Sequence, residues 1–95
     1  MKCGLAVVNN GINSGVVNNS GKMVIDPIYK EIYITDNGLI FCTTEGGYGT
    51  YYNVFTAEGK QVGDTKYKKP TDINDKYCKV QDNSYKYTLL NTQGI

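Results

Sequence analysis

The sequence predicts an all-β chain built from antiparallel hairpins, on three observations. Apolar residues recur with a period close to two, and no stretch sustains the 3.6-residue period of a helix. Nine Tyr and two Phe, together with many Val, Ile and Thr, favour half-buried strands. Ten Asn, eleven Gly and six Asp gather into short turn signals between the apolar runs.

Each element follows from its residues. Leu5 and Val7 alternate with Ala6 and Val8, and Asn9-Asn10-Gly11 then signals a hairpin. Residues 12–18 form its return strand. Asn19-Ser20-Gly21 turns the chain into a short strand over 22–25, which Asp26-Pro27 is expected to stop because proline lacks the ladder donor. Residues 29–35 carry Tyr29, Ile32 and Ile34 and fit either a strand or a single helical turn. Asp36-Asn37-Gly38 precedes a strand over 39–43, and Glu45-Gly46-Gly47 precedes one over 51–56. After a turn at Glu58-Gly59, the last strands cover 77–81 and 86–91, with turns at Asp82-Asn83 and Thr92-Gln93-Gly94.

The turns belong to a repeat. Residues 16–26 set against 54–64 at a constant offset of 38, so that Gly21 meets Gly59, Lys22 meets Lys60, Val24 meets Val62 and Tyr29 meets Tyr67. A third copy begins at Leu89-Leu90-Asn91-Thr92-Gln93-Gly94 and is expected to be cut short. Gly4-Leu5-Ala6-Val7 likewise resembles Gly38-Leu39-Ile40-Phe41 and, more weakly, Lys76-Tyr77-Cys78-Lys79. The approximate units are 4–37, 38–75 and 76–95. One hairpin cannot bury its apolar face alone, so about two and a half stacked units are expected to share a core. A solenoid, propeller-like blades and a small open barrel all satisfy this pattern.

Gly4-Leu5-Ala6, Gly15-Val16-Val17-Asn18-Asn19-Ser20-Gly21-Lys22 and Val24-Ile25-Asp26-Pro27-Ile28-Tyr29 resemble the bacterial WG (KWG) repeat over nearly the whole chain. The Trp-Gly that names the family is replaced by Ser14-Gly15, Tyr52-Asn53 and Tyr87-Thr88. The resemblance implies an all-β repeat architecture and little chemistry, because the family is known by its repeat.

Composition narrows function. The chain has 95 residues and a net charge of +1, from ten Lys against nine acids, with no Arg, His or Trp. Such balance does not suit a polyanion partner, and bidentate phosphate recognition lacks its preferred residue. The commonest general base and metal ligand is missing with histidine. Cys3, Cys42 and Cys78 are an odd number, lie far apart and occupy different places in the unit. Reduced, mostly buried thiols in a cytoplasmic protein are therefore expected, with no metal and no cofactor. The apolar run after Met1 is too short for a signal-peptide core, and no membrane span is expected.

Other motifs also read plainly. Asp72 with Asp75, and Asp26 with Asp64, sit in turn-like sequence rather than across a cleft. Gly46-Gly47-Tyr48-Gly49-Thr50 has the wrong spacing for a phosphate loop and no lysine after it. It makes the second unit about four residues longer than the first, and such insertions project from a surface.

The remaining lead is tyrosine. Tyr48, Tyr51 and Tyr52 lie in or beside the long loop, and Lys66-Tyr67-Lys68-Lys69 and Tyr85-Lys86-Tyr87 interleave charge with rings. These ten residues are the candidate interaction surface. The expectation is a non-enzymatic protein-binding module. A small nucleic-acid or nucleotide binder using the C-terminal lysines and tyrosines is the first alternative, although a nucleic-acid partner is disfavoured. A small inhibitor from a mobile element is the second. The thin core and open strand edges lead to an expected homodimer.

Overall fold

Short β-branched and aromatic runs, most of them closed by a polar turn, form strands throughout the computed structural model, which describes residues 4–44, 51–62, 67–68, 70–82 and 84–94. The strands are β1 (Leu5–Asn9), β2 (Ser14–Asn18), β3 (Met23–Tyr29), β4 (Glu31–Ile34), β5 (Ile40–Thr43), β6 (Asn53–Phe55), β7 (Thr71–Asp72), β8 (Cys78–Gln81) and β9 (Tyr87–Leu90). They make three antiparallel three-stranded sheets, β1-β2-β3, β4-β5-β6 and β7-β8-β9. Among the described residues there is no helix and no closed barrel. No helix is therefore long and apolar enough to cross a membrane.

One turn geometry recurs. At 18–22, 35–39, 56–60 and 82–86, the first residue's N–H donates to the fifth residue's carbonyl, and the fourth donates back to the first. The fourth position is left-handed, and it is held by Gly21, Gly38, Gly59 and, in the last case, Tyr85 at φ 64°. Only glycine takes that backbone without strain. Asn18 and Asp82 add side-chain oxygens that accept from the turn amides, at 2.8–3.1 Å.

Strand pairing recurs as well. Ser14 pairs with Tyr29 and Val17 with Met23; 38 residues on, Tyr52 pairs with Tyr67 and Phe55 with Gln61. Lys30 N–H donates to Thr43 at 2.8 Å, and Lys68 N–H to Gln81 at 2.9 Å, again 38 residues apart. Lys30 alone separates β3 from β4, so residues 29–35 are not a helical turn. They are one extended segment that leaves the first sheet and enters the second.

The strand expected to end at Asp26-Pro27 continues to Tyr29. Its register against β2 shifts twice between Ser14 and Val17, and Pro27 falls within the irregular stretch at the sheet edge, where its missing N–H is tolerated. The bulge crosses Gly15 closely: a Cβ there would lie 2.5 Å from the Ile25 carbonyl oxygen. β7, at Thr71–Asp72, has no strand signal of its own and exists through its pairing with β8.

The core has two layers. Leu5, Val16 and Ile25 of the first sheet pack with Ile34, Ile40 and Cys42 of the second. Leu39, Phe41 and Val54, from the opposite face of the second sheet, pack with Cys78, Val80 and Leu90 of the third. The middle sheet is thus covered on both faces, which is why all four residues of β5 are buried.

Candidate interaction surface

The sheet alternation that buries Cys78, Val80 and Leu90 must turn their neighbours the other way. Lys79 pairs with Leu89 and Gln81 with Tyr87, so Tyr77, Lys79, Leu89 and Tyr87 share the outer face of the third sheet. Leu89 is 51% exposed and Tyr87 60%. Lys79 Nζ lies 4.9 Å from the centre of the Tyr87 ring. Beside this face the β8–β9 turn lifts Tyr85 into solvent, 69% exposed, with Lys68 Nζ 4.3 Å from its ring centre. Each contact holds a cation over a π face.

The tyrosines and lysines singled out in the sequence fall into three groups. Lys68, Tyr85, Lys86 and Tyr87 come together at this end of the molecule, with Lys68 anchored to Gln81 of β8. Tyr52 and Tyr67 pair with each other across strands and contribute to the core, so their rings are not free surface. Tyr51 is half-buried at the start of the same segment. Tyr48, Lys66 and Lys69 lie outside the described residues, as does most of the long loop. Tyr77, Lys79 and Leu89 belong to the same face but lie outside those ten candidate residues; the signal for Leu89 was its alternation with buried Leu90.

Tyr52 also borders a shallow cleft of about 280 Å³ with Glu31, Ile32 and Tyr33. Its hydroxyl donates to Glu31 Oε2 at 3.0 Å. Burial, and then the Glu31 carboxylate, raise the Tyr52 pKa, so the phenol stays protonated and serves as a tie between strands.

Cys42 and Cys78 are free and buried. Burial pushes the Cys42 thiol up to about 12 and Cys78 to about 11. Thr35 and Asn37 hydrogen-bond to Cys78 and oppose that shift without reversing it. Asn37 Nδ2 also donates to the Leu90 carbonyl at 3.0 Å, which ties the β4–β5 turn to β9. Neither thiol has the lowered pKa that a nucleophile needs. Among the described residues, no three Cys, Asp or Glu side chains gather into a metal-holding group.

Comparison with protein-family models, curated proteins and solved structures gave no match.

Proposed function

We propose that this chain is a non-enzymatic protein-interaction module, and that its contact surface is the outer face of the third sheet. The observation that carries this reading is the exposure of Tyr77, Tyr87 and Leu89 on one sheet face, beside Tyr85. Tyrosine offers large contact area at low entropic cost, and lysines restrained over the rings supply a polar rim. The recurrent pairing 38 residues apart supports reading the three sheets as stacked WG-type units in an open, solenoid-like arrangement.

The test is affinity capture from the native host, with bound proteins located on the surface by cross-linking. Wild-type chain is compared with a Tyr87→Ala/Leu89→Asp double variant. Loss of a cross-linked partner supports the reading. A partner captured equally by both chains, or cross-linked only elsewhere, removes it.

A nucleic-acid role draws on the same lysines and tyrosines. The ring faces of Tyr85 and Tyr87 are each partly covered by a lysine, which leaves less room for a stacking base. No mobility shift of single-stranded DNA or RNA at low salt is the expected result.

A further inference from the structure

The same sheet-to-sheet contact is made twice inside the chain, and among the described residues one half of it is left uncovered on the first sheet and the other half on the third. Pairing registers set Ala6, Ile40 and Cys78 at equivalent positions, and Val17, Phe55 and Leu90 at another set. In the second and third sheets these positions face the preceding sheet, and Ile40, Cys78 and Leu90 are buried there. In the first sheet Ala6 and Val17, with Val8 beside them, face away from the core and are only half-buried. The opposite faces behave in the same way. Leu5 and Val16, then Leu39 and Val54, are buried against the following sheet, whereas their counterparts Tyr77 and Leu89 are exposed.

We infer that the chain associates with a second copy of itself head to tail, the Tyr77–Leu89 face of one copy seating on the Ala6–Val8–Val17 face of the next. The occupant is identified by equivalence: the surface that covers Leu5 and Val16 within the chain is built from the same positions as the free face of the first sheet. The two faces differ, so the contact is heterologous and propagates unless it closes into a ring. The contact lacks the extended segment that joins successive sheets within the chain, and it is therefore weaker than the internal contacts. This inference rests on reading the third sheet's outer face as an interaction surface, and it names the partner.

Sedimentation velocity on the purified 95-residue chain tests it. Wild-type mass is expected to rise with concentration to two copies and beyond. Leu89→Asp blocks one face and Val8→Lys the other, and each alone should sediment as a monomer. An equimolar mixture of the two variants retains one intact pair of faces and should stop at two copies. Met23→Asp, at an exposed side chain paired with Val17, replaces Val8→Lys if that variant loses its far-ultraviolet circular dichroism. Wild type that remains monomeric overturns the inference, as does a single variant that still dimerises or a mixture that fails to pair. A monomeric wild type that still captures another protein through Leu89 overturns self-association and leaves the interaction-module reading standing.

Discussion

Gly59 sits against the backbone of Val24: a Cβ on Gly59 would lie 2.5 Å from the Val24 carbonyl oxygen. The turn of the second sheet is thereby pressed onto β3 of the first. Gly94 lies against the equivalent residue one sheet further on, its Cβ position 2.7 Å from the side-chain methyls of Val62. Gly21, in the corresponding turn of the first sheet, has nothing within 4 Å.

These three turns separate backbone strain from packing. Gly21→Ala should destabilise the protein by about 1–2 kcal/mol, the expense of a left-handed alanine. Gly59→Ala meets the same strain and a backbone clash, which adds about 1–3 kcal/mol. Urea unfolding of both variants checks this, and equal losses would show that the contact between turn and strand contributes nothing.

Tyr85 occupies the turn position that glycine holds elsewhere, at φ 64°. Tyr85→Gly should relieve about 1–2 kcal/mol of strain while losing a cation–π contact of about 0.5–1 kcal/mol, for a small net gain in melting temperature. Tyr85→Ala keeps the strain and loses the contact, so it should melt lower than wild type.

Asn37 is buried and donates to Leu90 across the gap between sheets. Asn37→Ala removes the amide donor from the buried Leu90 carbonyl and one acceptor of the Thr35 hydroxyl, which keeps its bonds to Leu39. A loss of about 1–3 kcal/mol in denaturant unfolding is expected. Asn37→Asp should be at least as damaging, because it replaces the donor with a charge in a buried site.

Cys42 and Cys78 should resist alkylation by iodoacetamide in the folded protein and react at once in denaturant. Their thiols are pushed from 9.0 to about 12 and about 11. Raised folded values mean that the native state holds its protons more tightly. Their contribution is therefore fully present below pH 9 and is lost as pH rises towards 11–12. Unfolding free energies of Cys42→Ala and wild type, compared between pH 8 and pH 10.5, check the Cys42 share: the pH-dependent loss should be smaller in the variant.

Local sequence by itself determined most of the strands, the recurrent turns and the spacing of equivalent positions. Asn18-Asn19-Ser20-Gly21-Lys22 and Thr56-Ala57-Glu58-Gly59-Lys60 need only their own backbone bonds and one left-handed residue, so their geometry is legible one residue at a time. The Leu89–Leu90 alternation likewise announces one inward and one outward face. Tertiary structure alone decided which face is covered. Tyr52 and Tyr87 hold equivalent positions, yet Tyr52 is buried and Tyr87 exposed, because the third sheet packs over the Tyr52 face and, among the described residues, nothing packs over the Tyr87 face. Pro27 and Thr71–Asp72 read as breaks because local propensity opposes a strand there; long-range pairing with β2 and β8 overrides it. Burial belongs to contacts between distant segments, and a two-residue period is blind to what lies across the sheet.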